Sequence, residues 1–267
     1  MSVEWIDSPG DPRVALYRDV SDPELVRQRG LFVAEGRLVV RRLIEDGRHV
    51  LQSVLVSKAA WRSLEPCLSR IADRVPIYVC DARGVLGITG HHIHRGCLAL
   101  AERPAPRSLE ELLPSARTVI VLEGVTNADN IGGVFRNAAA FGVDAILLSP
   151  TCCDPYYRKA IRTSMAATLR VPFARRKDWP AVLAEVRAAG FRLVALTPRA
   201  PSEDLRVFSA RSDVSRVALL VGTEGDGLTS AAETMADHRV CVRICPEVDS
   251  LNLAVATGIA LYALRHR

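Results

Sequence analysis

The sequence predicts an α/β protein in two parts: a small mixed domain, then a larger one built on a mostly parallel sheet covered on both faces. Strand-length apolar runs alternate with helical stripes along the chain, the pattern of layered α/β folds. The stretch Glu102–Ser108 sets Pro104 and Pro106 among charged residues, a composition that breaks helix and strand and separates two halves of different texture. Beyond it, apolar strands recur with helical segments between them, a rhythm that calls for parallel strands. A length of 267 residues is comfortable for two domains.

Taken in order, Asp22-Pro23 opens a short helical stretch and Leu31-Phe32-Val33 reads as a strand. Leu38, Val39, Leu43 and Ile44 form a helical stripe within Glu35–Asp46, stopped by Gly47. Strands are expected at 50–57, 75–80 and 96–101. The first domain is therefore placed at 1–103, a linker at 104–116 and the second domain at 117–267. In the second, strands are expected at 118–122, 145–149, 192–196, 217–221 and 240–244, and a final helix from Leu251 to about Leu264. Ligands in such folds gather at the carboxyl ends of the strands.

Composition excludes several classes. No window reaches about 18 uninterrupted apolar residues, so no membrane span is expected. Met1–Pro12 lacks the basic start and apolar core of a signal peptide, and a cytoplasmic location follows as the default. The seven cysteines are scattered, with Cys152 and Cys153 adjacent, and show no disulfide framework or zinc spacing; buried reduced thiols are expected. The run His91-His92-Ile-His94 lacks a carboxylate or cysteine to complete a metal site, so no metal is expected. A formal net charge of +5 tolerates a polyanion without requiring one.

Three segments carry more than structure needs. Glu123-Gly-Val-Thr-Asn-Ala-Asp-Asn-Ile-Gly-Gly-Val-Phe-Arg136-Asn follows a strand. Asn130 suits the N-cap of a helix running to Phe141, with Gly142 as its stop. Ile131, Val134, Phe135 and Ala138 share its apolar face, and Arg136 lies off that stripe. Gly132 and Gly133 cost roughly 0.5–1 kcal/mol each relative to Ala, which implies close approach by a backbone, a ligand or a subunit. Residue types alone leave open a plain Asn-capped helix with a solvated Arg136. The second segment, Leu219-Leu-Val-Gly222-Thr-Glu224-Gly225-Asp-Gly227-Leu228, runs an apolar strand into three glycines around one carboxylate. It matches neither a dinucleotide fingerprint nor a phosphate loop; a tight turn with an exposed Glu224 competes with a ligand loop. In the third, Asp249-Ser250-Leu251-Asn252-Leu253-Ala-Val-Ala-Thr257, Ser250 can cap a helix that is apolar almost all round. Asn252 then falls in the first turn of a buried helix. A buried amide without partners costs on the order of 1–3 kcal/mol, so it must bond something specific.

Together and in this order, the segments resemble the SpoU/TrmH family of RNA 2′-O-ribose methyltransferases of the SPOUT superfamily. The first looks like that family's Asn, Ile-Gly, Arg-Asn motif, the second like its Gly-x-Glu-Gly-x-Gly loop, and the third like its Ser-Leu-Asn signature. The likeness covers roughly residues 117–266. The first half resembles the family's accessory RNA-binding domain, similar to a small ribosomal protein, through Phe32-Val-Ala-Glu35-Gly36 and His94-Arg-Gly96. The sequence departs from the pattern at Arg243, Ile244 and Pro246, at Ala128, and at Ser164-Met-Ala166, where a glycine-containing stretch is usual.

The resemblance implies a knotted parallel-sheet methyltransferase domain, with a C-terminal trefoil knot, preceded by a small α/β RNA-binding domain. It implies S-adenosylmethionine as cofactor, held by Thr197, Gly222, Glu224, Gly225, Gly227, Ile244, Pro246, Ser250, Leu251 and Leu253. The catalytic set it implies is Arg136, Asn130, Glu224, Ser250 and Asn252, with Arg37, Arg41, His94 and Arg95 toward RNA. The partner implied is structured RNA, 23S ribosomal RNA ahead of transfer RNA, and the working form a homodimer in which both subunits build the site. A non-catalytic RNA-binding assembly factor is the alternative from another class.

Overall fold

The computed structural model describes residues 3–18, 21–90, 96–211 and 215–265, and the chain divides into two compact units. One comprises the residues up to Ala105 together with Pro155–Leu169; the other comprises Pro106–Asp154 and the residues from Arg170 onward.

In the first unit, strands β1 (Val3–Trp5), β2 (Leu31–Glu35), β3 (Leu51–Ser57), β4 (Ile77–Cys80) and β5 (Cys97–Glu102) form one sheet in the order β1-β4-β3-β5-β2. β1 and β3 run parallel to β4, while β5 is antiparallel to both β3 and β2. Helices α1 (Arg37–Asp46), α2 (Lys58–Leu68) and α3 (Ala82–Thr89) connect them. α1 buries Val39, Val40 and Leu43 and stops at the left-handed Gly47, whereas Leu38, expected on the buried stripe, is exposed. β1, α2 and α3 lay outside the sequence expectation. α3 holds Gly84 and Gly87, poor helix formers, and Gly87 is tolerated because Pro9 lies against it: a Cβ there would stand 2.8 Å from the Pro9 ring.

The second unit begins inside the expected linker. α4 (Leu109–Leu112), capped by Ser108, buries Leu109 and Leu112, and Leu113 and Ala116 join the same core. Only the Pro-containing part up to about Arg107 therefore behaves as a connection. There follow β6 (Thr118–Leu122), α5 (Ala128–Phe141) and β7 (Ala145–Leu148).

The chain then contributes a segment to the first unit. α6 (Arg158–Thr163) packs against β2, with the Arg158 backbone N–H and Nε donating to the Asp22 carboxylate at 2.8 and 2.9 Å. Tyr156 lies against Phe32, and Arg42 donates to the Met165 carbonyl at 2.6 Å. Assigning all of 117–267 to the second domain is thus corrected: apolar and charged partners for 155–169 come from the first. Met165 and Ala166 both take left-handed backbone, φ 55° and 71°, a conformation favouring glycine. This is the stretch where the resembled family has one.

β8 (Phe173–Arg175), α7 (Val182–Ala188), β9 (Arg192–Leu196), β10 (Glu203–Asp204), α8 (Leu205–Ser209), β11 (Val217–Val221), α9 (Ser230–Thr234), β12 (His238–Cys241) and α10 (Leu253–Arg265) complete the second unit. Its seven strands pair in parallel throughout, in the order β10-β12-β9-β11-β6-β7-β8. Alternate residues of β6, β7, β9 and β11 pack with α4, α7 and α9 in one core, and the intervening residues, such as Ile120, Ile146, Val194 and Leu219, are buried as well. Strands buried on both faces explain their unbroken apolar runs. From β6 the chain builds outward to β8, then restarts at β9 on the other side of the sheet. The order therefore reverses between β6 and β11, and at such a switch point the loops diverge and open a crevice.

Candidate active site

α5 starts one turn earlier than expected. Asn127, not Asn130, caps it, its Oδ1 accepting from the Asp129 N–H at 2.8 Å, and Gly142 ends it in left-handed geometry. Capping by Asn127 frees Asn130, which is buried inside the first turn. The close approach implied by the glycine pair is that of α10: a Cβ on Gly133 would stand 2.6 Å from the Ala254 Cβ. Asn137 ties the two helices, donating to the Ala254 carbonyl at 2.6 Å.

α10 begins at Leu253, so Asn252 takes the capping place expected of Ser250. Its Oδ1 accepts from the N–H groups of Ala254 and Val255 at 3.0 and 3.3 Å. Asn252 is exposed rather than buried. The need for specific partners still holds, since its amide nitrogen donates to Asn130 Oδ1 at 3.0 Å and to Glu224 Oε1 at 3.1 Å. One side chain thus ties together three segments more than a hundred residues apart in sequence at their extremes. α10 is also less buried than its composition suggested: Val255, Ile259 and Tyr262 stand exposed along one face.

The loop after β11 is a closed turn. Thr223 and Gly227 exchange backbone hydrogen bonds at 3.2 and 3.1 Å, with Gly225 and Gly227 at φ 91° and 69°. Gly222 is irreplaceable for another reason: a Cβ would fall 2.0 Å from the carbonyl carbon of Gly227. Arg199 braces the turn, donating to the carbonyls of Asp226 and Leu228. Glu233, buried in α9, in turn accepts from Thr197 Oγ1 at 3.0 Å and pairs with Arg239 at 2.7 Å. Arg199 and Glu233 were missed by the sequence reading, because neither falls within a recurring glycine or amide pattern.

These loops enclose a cavity of about 540 Å³ at the carboxyl ends of β9, β11 and β12. Of the residues expected to hold a cofactor, Thr197, Gly222, Glu224, Gly225, Gly227, Ile244, Ser250, Leu251 and Leu253 line it, and so does Asn252. Pro246 does not: it is exposed, two residues beyond the point where Ile244 leaves the wall. β12 ends at Cys241 rather than at 244, and this early ending turns Val242 and Ile244 into the cavity. Arg136 is exposed on α5, lines none of this cavity, and among the described residues has no hydrogen-bond or ion-pair partner. In the first unit Arg41 is exposed and Arg37 half-buried on α1; His91, His92, His94 and Arg95 lie outside the described residues. Among the described residues no cluster of three potential metal ligands is present, and no helix is long and apolar enough to cross a membrane.

Residues 117–262 match the SpoU rRNA Methylase family. Over its length the chain is similar to an uncharacterised tRNA/rRNA methyltransferase of Mycobacterium tuberculosis, 38% identical over 98% of this chain and 91% of the relative. It is also similar to the 23S rRNA (guanosine(2553)-2′-O)-methyltransferase RlmP of Bacillus subtilis, 32% identical over 88% of this chain and 93% of that one. Among solved structures it resembles the AdoMet-bound rRNA methyltransferase of Sinorhizobium meliloti, with a TM-score of 0.84 and 25% identity over 100% of this chain and 98% of the other.

Proposed function

Because the chain belongs to the SpoU rRNA methylase family and is an RNA methyltransferase, we propose that it transfers a methyl group from S-adenosylmethionine to a ribose 2′-hydroxyl of 23S ribosomal RNA in the cytoplasm. The observation that carries this reading is the bridge from Asn252 to Asn130 and Glu224, which gathers all three motifs at the rim of one cavity. The named activity of RlmP supports the ribosomal substrate.

The cavity suits the cofactor. Its volume of about 540 Å³ falls within the few hundred to a thousand cubic ångströms typical of small-molecule sites. Leu196, Val221, Ile244 and Leu251 supply apolar wall, and Glu224, Asp226 and Asp249 supply carboxylates for a ligand bearing a sulfonium and an ammonium. When bound, S-adenosylmethionine supplies an electrophilic methyl on positively charged sulfur. The protein's task is to hold the ribose hydroxyl in line and to manage its proton. Arg136 is unsuited to be the base, since a guanidinium offers five N–H donors and no acceptor for a proton. Its role is to clamp the neighbouring phosphate and stabilise the developing alkoxide, while the proton leaves through water or phosphate. Ser250, exposed at the cavity, orients the ribose; Asn252 holds Glu224 and Asn130 in place.

A homodimer completes the site. Two observations support it: Arg136 lies outside its own chain's cavity lining, and α10 leaves Val255, Ile259 and Tyr262 exposed at one face. The three loops lining the cavity, near Thr197-Pro198, Gly222–Gly227 and Ile244–Leu253, are those of the implied trefoil knot. The first unit presents Arg37 and Arg41 to the RNA.

The test is transfer of labelled methyl from S-adenosylmethionine to separated ribosomal and transfer RNAs. Label confined to the large ribosomal RNA is expected. Tight RNA binding with neither cofactor binding nor label would instead establish an assembly factor.

A further inference from the structure

A second cavity, of about 550 Å³, lies on the other side of the Gly222–Gly227 loop. It is built at the carboxyl ends of β6, β7, β8 and β11, over the point where the strand order reverses. Thr223, Asp226, Gly227 and Arg199 line both cavities, so one loop forms a shared wall. A transferase with two substrates needs two adjoining sites, and the loops of the first already enclose the proposed cofactor site.

We propose that this second cavity receives the nucleobase of the target nucleotide, extruded from the RNA so that its ribose is presented beside the cofactor. The inference rests on the ribose-methylation reading above and adds the place where the base is held.

The lining fits an uncharged, hydrogen-bonding, planar ligand. Trp179 is packed against the core on one side and lines the cavity. Its indole is fixed: Nε1–H donates to Glu123 Oε1 at 2.5 Å. Glu123 is buried and held by the Thr229 hydroxyl at 2.9 Å and the Thr229 N–H at 2.8 Å, so its role is to position the indole. A rigid aromatic ring in a polar cleft is a stacking platform for any base. Lys177 is exposed at the wall and has no ion pair among the described residues; Asp226, likewise unpaired through its side chain, offers an acceptor. The Thr151 hydroxyl adds a group that can donate or accept. The lining carries two cations, Lys177 and Arg199, and two carboxylates, Glu123 and Asp226, and Arg199 also pairs with Glu233 at 3.6 Å, so the cleft holds no excess of positive charge. That balance disfavours a phosphate and favours the mixed donors and acceptors of a base edge. Enzymes that take a nucleotide out of the stack hold its base in a pocket of mixed polar and aromatic lining, and this cavity offers one beside the proposed cofactor site.

The test is equilibrium dialysis of the four labelled ribonucleosides against the full chain saturated with S-adenosylhomocysteine, which closes the first cavity. At least one nucleoside is expected to be retained, and Lys177→Ala and Trp179→Leu are each expected to weaken retention about tenfold. Trp179→Phe, which keeps a ring, should restore most of it. Unchanged binding of S-adenosylhomocysteine would show that each variant is folded. Retention of no nucleoside, or retention indifferent to Lys177→Ala and Trp179→Leu alike, would overturn the assignment. The two readings separate cleanly. Nucleoside binding governed by Trp179 and Lys177 without methyl transfer to any RNA removes the ribose-methylation reading and keeps the cavity; methyl transfer with nucleoside binding blind to both residues does the reverse.

Discussion

Loop segments rich in glycine wall the cavity on one side of the Gly222–Gly227 turn, whereas long side chains from four strand ends wall the cavity on the other. The first takes its shape from backbone that no other residue could follow, as at Gly222. The second takes its shape from Glu123, from the neighbouring Lys177 and Trp179, and from Arg199, which arrive from three separate parts of the sequence. A site for an invariant small molecule can be encoded in backbone, which leaves a local pattern of residues. A site for one part of a large substrate is assembled from scattered side chains and leaves none.

The contrast predicts where substitutions will act. Gly222→Ala should have the largest effect. Its Cβ would meet backbone atoms of Gly227 and Leu228 at 2.0–2.2 Å, so the turn must open. Affinity for S-adenosylhomocysteine, measured by titration calorimetry, should fall at least about a hundredfold, equivalent to roughly 2.7 kcal/mol. Gly225→Ala, with nothing within 4 Å, meets only the strain of φ 91° and should fall much less. Equal losses would remove the shape argument.

Next comes Gly133→Ala, which places a methyl 2.6 Å from the Ala254 Cβ. Overpacking of this kind should destabilise by about 1–3 kcal/mol in urea unfolding. Adding Ala254→Gly should recover most of that loss, because the clash is between these two groups. Asn252→Ala removes the α10 cap and the bridge to Glu224 and Asn130, and should cost about 1–2 kcal/mol of stability. It should also weaken cofactor binding, although no lining backbone is altered.

The smallest perturbation is chemical. Six cysteines are buried and Cys245, on the loop after β12, is exposed. Burial pushes the Cys80 thiol up to about 11 and the Cys97 thiol up to about 12. The thiolate is the reactive form, so at pH 8 these two remain protonated and unreactive, becoming reactive only as pH rises toward their raised values or as the chain unfolds. One thiol per chain should label rapidly in the native protein, and seven in denaturant. Rapid labelling of Cys97 would contradict the buried strand β5.

How much of this was legible in the sequence varies with the same distinction. β6, β9 and β11 stand where their runs of four or five apolar residues placed them, because strands buried on both faces carry uninterrupted apolar sequence. β12 was displaced: His238 and Arg239 look like loop, yet His238 packs on Phe208 and Arg239 pairs with Glu233, so tertiary partners admit them to the strand. The caps moved by a few residues for a related reason. Asn127, Asn130, Ser250 and Asn252 are equivalent in local propensity, and only the contact between α5 and α10 decides which of them cap and which bridge. The three motifs were visible as segments, but the bridge joining them was not. Nor was the course of 155–169, whose partners Asp22, Phe32 and Arg42 belong to the same unit but lie more than a hundred residues earlier in the sequence.

The most direct measurement is nucleoside analysis of ribosomal RNA labelled by the wild-type chain and by Arg136→Ala, with RNA binding recorded for both. The account predicts a single 2′-O-methylnucleoside from the wild type and its loss, by a hundredfold or more in rate, from Arg136→Ala with RNA still bound. A base-methylated product, or near-normal turnover by Arg136→Ala, would contradict it.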